Sequence, residues 1–142
     1  MMIINPYLTF NGTSEEAFKF YQSVFGGELS IRRFADTEDP SKYSESDVNK
    51  LMHVSLPIGN NFLMASDSLE SMGHNLNAGN NFNISVNADS REEAERIFRA
   101  LAEGGTVKME LQDTFWGSYF GMLEDKFGIY WMVDHSTIEH HS

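Results

Sequence analysis

Two side chains near the middle of the chain have the types that acid–base chemistry uses. His53 is the one histidine inside a predicted strand, and an ordinary imidazole titrates near ~6.5. Asp67 stands just past the end of a neighbouring predicted strand, where its carboxylate could orient the imidazole or hold a polar group of a ligand. Together with His135, just past the last predicted strand, they compose a His₂-carboxylate set of the kind used in non-haem iron and catalytic zinc sites. The structural alternative stands beside it: strand-end aspartates cap turns, and a lone strand histidine is commonly hydrogen-bonded within the fold. Further on, Trp116 with Phe115, Tyr119 and Phe120 forms a dense aromatic cluster flanked by Gly117 and Gly121. Such a cluster suits a partly apolar ligand, and the glycines permit close backbone approach. For Phe115 and Phe120 the preferred reading is core, whereas Trp116 needs a partner for its indole N–H. The chain has no cysteine, so thiolate ligands, disulfides and a cysteine nucleophile are excluded. No nucleophile-elbow pattern supports triad chemistry.

These residues need elements to position them. Ile4 to Phe10 reads as a strand, and Thr13 opens a helix with a capping-box pattern, Thr13 to Glu16. Gly26-Gly27 stops that helix. Glu28 to Ala35, Leu51 to Ile58 and Phe62 to Ser66 read as strands, the last two joined by a Gly59-Asn60-Asn61 hairpin turn. Asp36 to Asp47 is a polar, acidic loop containing Pro40. Asn81 to Asn87 alternates Phe82, Ile84 and Val86 with polar residues, as a half-buried strand does. Ser90 to Glu103 is a second helix with its own capping box, Ser90 to Glu93. Thr106 to Leu111, Tyr119 to Leu123 and Ile129 to Val133 complete the strands.

The two halves repeat each other. Thr13-Ser14-Glu15-Glu16-Ala17 is answered by Ser90-Arg91-Glu92-Glu93-Ala94, a constant offset. The apolar positions keep the offset, so Ala17, Phe20, Tyr21 and Val24 map onto Ala94, Ile97, Phe98 and Leu101, and each set predicts the buried face of a helix. Glycine pairs close both segments, and Phe62-Leu63-Met64-Ala65 is echoed by Tyr130-Trp131-Met132-Val133. The expected organisation is a single domain over 1–142 made of two repeats, about 1–67 and 80–135. A connector, 68–79, joins them and a short polar tail follows. Each repeat reads strand, helix, three strands, an α+β arrangement of tandem βαβββ modules expected to form a curved mixed sheet around a cleft. The connector and the acidic loop are expected to be the mobile segments.

Composition sets outer bounds. Ten basic residues against 21 acidic ones leave a net charge of −11, the wrong balance for neutralising phosphates, so nucleic acid is excluded as a partner. The basic residues are scattered, with Arg32-Arg33 the one adjacent pair. No apolar run approaches a membrane span. The N-terminus has neither a basic region nor a long apolar stretch, so no signal peptide is expected. The absence of cysteine fits a cytoplasmic location.

The ordered set of motifs resembles a known family. Tyr7-Leu8-Thr9-Phe10, Glu15-Glu16-Ala17 through Phe20-Tyr21 and Phe25-Gly26-Gly27, Leu63-Met64-Ala65-Ser66-Asp67 and Asp113-Thr114-Phe115-Trp116-Gly117 match it in order. The run Asp125-Lys126-Phe127-Gly128-Ile129-Tyr130-Trp131-Met132 completes the match. The βαβββ duplication is similar to the vicinal oxygen chelate superfamily of glyoxalase I, extradiol dioxygenases, and fosfomycin and bleomycin resistance proteins. Within it the chain resembles the PhnB-like family. That family often carries a demethylubiquinone methyltransferase label, but no glycine-rich nucleotide loop supports methyl transfer.

The resemblance implies where a divalent metal would sit, on the first and last strands of each module. In this chain those positions fall at Pro6 or Tyr7, Asn83, Met64 and Met132. Two thioethers, an amide and a proline or phenol do not replace imidazoles and carboxylates, so no metal and no cofactor are expected. The implied ligand-binding residues are Tyr7, His53, Met64, Asp67, Asn83, Trp116, Tyr119 and Met132, with His53 and Asp67 as the catalytic candidates. The expected function is binding of a small, partly apolar molecule by a homodimer. The alternative is a metal-dependent lyase, isomerase or dioxygenase using the off-register His53, Asp67 and His135.

Overall fold

Leu8 and Phe10 alternate with Tyr7 and Thr9, and this period of two makes the first strand, β1 (Tyr7–Phe10), shorter than the Ile4 start suggests. The computed structural model describes residues 2–136, in two compact units that divide between Asn77 and Ala78. In the first unit, helix α1 (Ser14–Phe25) follows β1, then β2 (Ser30–Arg33), β3 (Leu51–Ile58) and β4 (Asn61–Asp67). The sheet order is β1-β4-β3-β2, with β1 parallel to β4 and the other pairs antiparallel. The strand expected to run to Ala35 ends at Arg33 in a short 3₁₀ turn, Phe34–Asp36, and a second turn, Pro40–Lys42, lies within the predicted acidic loop.

Helix α1 buries Ser14, Ala17, Phe18, Tyr21 and Val24. Phe18 takes the place expected of Phe20, which is half-buried. The helix lies over β3 and β4 so that Phe18 meets Phe10 edge-on at 6.4 Å and Tyr21 at 5.4 Å. Each such fully buried ring is worth ~1.5–3 kcal/mol relative to exposure. The capping box expected at Thr13 does not form: Thr13 makes no side-chain cap bond. The first amide of the helix is instead taken by a strand residue, Asp67, described below.

The second unit repeats the plan with β5 (Ile84–Asn87), α2 (Arg91–Ala102), β6 (Thr106–Asp113), β7 (Ser118–Glu124) and β8 (Tyr130–Ser136), in the sheet order β5-β8-β7-β6. Here the local cap forms, with Ser90 Oγ accepting from Glu93 N at 3.1 Å. Glu93 reaches back to the amide of Asp89 rather than that of Ser90. Ala94, Ile97, Phe98 and Leu101 are the buried face, as the period predicts. Gly121 on β7 makes room for Phe98, whose Cε2 would lie 2.7 Å from a Cβ built there. Trp131 is buried, and its indole N–H donates to Asp125 at 2.9 Å. Asp125 also accepts from the amides of Phe127 and Ile129, so one carboxylate closes the β7–β8 turn and seats the tryptophan. The architecture is α+β, two four-stranded mixed sheets each covered on one face by a helix.

Candidate functional site

Because the helix covers one face of each sheet, alternate strand residues are left on the other. In the first unit the register sets Tyr7 of β1 opposite Met64 of β4, Met64 opposite Ser55 of β3, and Ser55 opposite Ser30 of β2. Their immediate neighbours Leu8, Ala65 and Val54 face the helix and are buried. His53 lies two residues from Ser55 and so shares the open face. The Tyr7 hydroxyl and His53 Nδ1 are 3.1 Å apart, the ring tautomer deciding which donates. The two rings are 5.7 Å apart, and Tyr7 is 50% exposed. Three of the sequence-chosen residues, Tyr7, His53 and Met64, therefore meet on one surface. Further along these strands, Thr9 and Ser66 help line a cavity of about 700 Å³ with Met52, His74 and Leu76.

Asp67 also lines that cavity, but its carboxylate oxygens are engaged elsewhere. It is 4% exposed. Its Oδ1 accepts from Ser14 N at 2.9 Å and its Oδ2 from Leu51 N at 2.9 Å. One carboxylate thus caps α1 and fixes the start of β3, and neither oxygen is bonded to His53. The expectation that Asp67 orients the imidazole is corrected: Asp67 belongs to the helix-facing side of β4, whereas His53 faces away. A buried anion at a helix N-terminus is satisfied by amide donors and the helix dipole.

In the second unit, Met132 of β8 stands opposite Ser85 of β5 and Met122 of β7. Phe120, further along β7, is on the same face, and its ring is 6.0 Å from that of Trp116. Thr114 and Ser118 close the β6–β7 turn through three hydrogen bonds and lift Phe115 and Trp116 to its tip. Phe115 is 98% exposed, so the core reading is corrected for it; a two-residue tip has no interior to enter. Phe120 is half-buried on the open face.

Tyr119 is separated from that group by the alternation of the strand. It faces α2, donating from its hydroxyl to Glu95 at 3.0 Å while the Arg91 guanidinium lies 3.9 Å over its ring. Arg91 is in turn held by both oxygens of Asp113. Burial first, and then the bond to Glu95, raises the Tyr119 hydroxyl above its ordinary range. It lines a separate hollow of about 560 Å³ against α2, together with Glu95, Phe98 and Glu110.

The same register corrects one position carried over from the repeat. Tyr7 pairs with Met64 and Ser85 pairs with Met132, so the counterpart of Tyr7 is Ser85, one further than the helix offset indicates. Asn83 precedes β5 and is exposed. The donor sets facing outward are then a phenol, a thioether and one imidazole in the first unit, and a thioether, a hydroxyl and the Asp134 carboxylate, whose Oδ1 is buried without a hydrogen-bond partner among the described residues, in the second. Each set brings a single imidazole or carboxylate, where a divalent ion is ordinarily held by three or more such donors. The off-register set is not assembled either. Among the described residues no three His, Cys, Asp or Glu side chains converge on one point. Asp67 is committed to backbone amides, and His135 Nδ1 donates to the Ala88 carbonyl at 3.0 Å.

Two features of the open faces escaped the sequence. Ser85 lacks any motif and was hidden by the one-residue difference between strand and helix offsets. Arg32 stands directly opposite His53 in the β2–β3 pair; the Arg32-Arg33 pair was visible, but not that one arginine faces each side of the sheet. Arg33 donates from both terminal nitrogens to Glu15, at 2.9 and 2.8 Å. A register shift between Arg32 and Arg33 separates their roles.

Comparison with known proteins places this geometry. The family model described as 3-demethylubiquinone-9 3-methyltransferase matches residues 2–134. Protein YjdN of Escherichia coli K12 is 32% identical over 143 residues, covering 94% of this chain and 95% of its own. The crystal structure of protein PA1353 from Pseudomonas aeruginosa is 42% identical with a TM-score of 0.86, covering 96% of this chain and 98% of that one. A PhnB protein from Bacillus cereus is 27% identical with a TM-score of 0.74, over 95% of this chain and 100% of that one. At the level of fold alone, a glyoxalase/bleomycin resistance protein/dioxygenase family enzyme from Burkholderia phytofirmans PsJN aligns with a TM-score of 0.64 at 19% identity, over 92% and 96% of the two chains. The chain belongs to the family described as 3-demethylubiquinone-9 3-methyltransferase, the PhnB-like family, and shares its fold with glyoxalase/bleomycin resistance proteins.

Proposed function

We propose that this protein binds a small, partly apolar molecule on its open sheet faces and has no resident divalent metal. The observation that carries the reading is the Tyr7–Met64–His53 surface of the first unit. A flexible thioether on β4 lies between the strand that carries the phenol and the strand that carries the imidazole, with the hydroxyls of Ser55 and Ser30 beyond it. Methionine adapts to apolar shapes, whereas the hydroxyl and ring nitrogen fix a ligand's orientation. The neighbouring cavity, about 700 Å³, is within the range of small-molecule sites. Met132, Phe120 and Trp116 offer a comparable apolar surface in the second unit.

Methyl transfer, the activity in the family's description, finds no support in this chain. The turns that lead into the helices, 11–13 and 88–90, carry one glycine, Gly12, and do not form a glycine-rich cradle. The alternative of a metal-dependent lyase, isomerase or dioxygenase has His53 as the single imidazole beside Tyr7. It requires one metal per chain. We further propose a cytoplasmic homodimer, a reading supported by the exposed apolar side chains of Phe82, Phe115 and Trp116, which a partner surface would cover. No helix among the described residues is long and apolar enough to cross a membrane.

Two measurements test the reading. Titration with the neutral fluorophore N-phenyl-1-naphthylamine should show saturable binding that Met64→Glu weakens by tenfold or more. Elemental analysis of protein purified without chelators should find well under one divalent metal per chain. One metal per chain, lost in His53→Ala, would promote the enzyme reading instead.

A further inference from the structure

Of the ten Lys and Arg side chains in this acidic protein, nine are engaged. Six form ion pairs, two lie over aromatic rings, and Arg96 has a partner of its own. Arg32 alone has none among the described residues. Its position makes that informative. It is opposite His53 in the antiparallel β2–β3 pair, so both side chains leave the sheet on the same side. That side is the open face, with Tyr7 bonded to His53 and Met64 between the rows. The adjacent Arg33, on the other side of the strand, is fully committed to Glu15 and to the Asn49 carbonyl.

A chain with a net charge of −11 repels anions over most of its surface. Leaving one guanidinium without an acid, beside an imidazole and a phenol hydroxyl, creates a local exception. Guanidinium matches the two oxygens of a carboxylate or the oxygens of a sulfonate or phosphonate, with donors fixed in one plane. One further donor is free at the same place: the Nε2–H of His53 where Tyr7 donates to Nδ1, or the Tyr7 hydroxyl where Nδ1–H donates to it. Met64, with Phe62 further along β4 on the same face, offers the apolar surface that such a ligand's body would cover.

We infer that the first unit's open face selects an amphipathic anion, a small molecule whose carboxylate, sulfonate or phosphonate is held by Arg32 beside His53 and Tyr7 and whose apolar body lies on Met64. This assignment rests on the proposed ligand-binding function and adds the charge of the ligand. It requires no metal and no covalent step. The Arg32–His53 pair with the Tyr7 hydroxyl is the polar end of the site, and the methionine is its apolar floor.

The test uses two probes with the same aromatic body. 8-Anilinonaphthalene-1-sulfonate carries an anion, and N-phenyl-1-naphthylamine lacks it. Both are titrated by fluorescence into the whole protein and into Arg32→Gln, Arg32→Lys and Lys19→Gln. The last removes one positive charge from the exposed side of α1 in the same unit. Arg32→Gln should weaken the sulfonate probe about tenfold, the loss of one charge-assisted contact, and change the neutral probe less than twofold. Arg32→Lys should recover at least half of the loss in log affinity, and Lys19→Gln should behave as the unmodified protein. Circular dichroism and the urea midpoint verify that each variant is folded. Equal affinity of Arg32→Gln and the unmodified protein for the sulfonate would overturn the anion assignment and leave ligand binding standing. The anion assignment falls equally if Lys19→Gln is weakened as much as Arg32→Gln. Failure of both probes to bind saturably would remove the ligand-binding reading itself.

Discussion

Replacing Asp67 by asparagine separates the two roles that a strand-end carboxylate can have. Both oxygens accept backbone amides at 2.9 Å, from Ser14 at the head of α1 and from Leu51 at the start of β3. In Asp67→Asn one of these acceptors becomes an N–H₂ group that confronts an N–H donor. A buried donor left without a partner costs about 1–3 kcal/mol. The surviving bond loses its charge assistance, and α1 loses an anion at its positive end, worth a further ~0.3–1 kcal/mol. The sum is about 1.3–4 kcal/mol, a large share of the ~5–15 kcal/mol that holds a domain together. Asp67→Ala strands both amides and should cost about 3–5 kcal/mol. Urea denaturation followed by circular dichroism gives the number directly, with the slope checked for constancy. His53→Gln is the control, since a change on the open sheet face should stay within ~1 kcal/mol. Probe binding by folded Asp67→Asn should match the unmodified protein within about threefold. The structural reading of Asp67 fails if the substitution costs less than ~1 kcal/mol yet abolishes probe binding.

Three further outcomes are expected. Glu15 is held at about 2 by the hydrogen bond from Arg33, opposed by burial and reinforced by the charges of Arg33 and Lys19. A carboxyl lowered from 4.5 stabilises the fold above that ordinary value, and the contribution is lost as pH falls from about 4.5 toward 2. Both side chains are about one-third exposed, so solvent screening brings the contribution to ~1 kcal/mol, and Glu15→Gln should flatten the acid limb of a stability–pH curve by that amount. Asp125→Ala should cost ~3 kcal/mol and shift Trp131 emission to the red, because three donors, the indole N–H among them, lose their acceptor. Phe115→Ser should leave stability within ~0.5 kcal/mol, as the ring is almost wholly exposed; light scattering across a dilution series should show weakened self-association if that tip lies in the proposed dimer interface.

The helices and the duplicated strand order were legible because burial imposes a period on the sequence. Helix α2 shows this best: Ala94, Ile97, Phe98 and Leu101 recur at helical spacing and are the residues that are buried. Helix α1 was less clear, since its apolar residues cover more than one stripe. Phe18 and Phe20 both qualify by type, and only packing against Phe10 and Tyr21 decides for Phe18. The cap of α1 could not be read locally at all. Thr13 and Glu16 have the types of a capping box, but a carboxylate 53 residues away satisfies the helix. A buried charge that accepts two amides outcompetes the hydroxyl of Thr13, an exposed residue.

For the candidate site, the sequence by itself determined the chemical inventory: one strand histidine, two methionines where the family resemblance places metal ligands, no cysteine, and a surplus of acid. It also determined that the chain is a duplicated βαβββ protein, because a repeat with matching periods leaves few other ways to bury its apolar faces. The tertiary structure decided which side of each sheet a residue occupies. Strand alternation is unambiguous only once register is known, and a shift of one residue exchanges the two faces. That parity sends Asp67 and Tyr119 to the helix side, keeps Tyr7, His53, Met64 and Arg32 on the open side, and makes Ser85 rather than Asn83 the partner position of Tyr7. Side-chain types are local facts, whereas the company they keep is set by hydrogen bonds between strands that are distant in the chain.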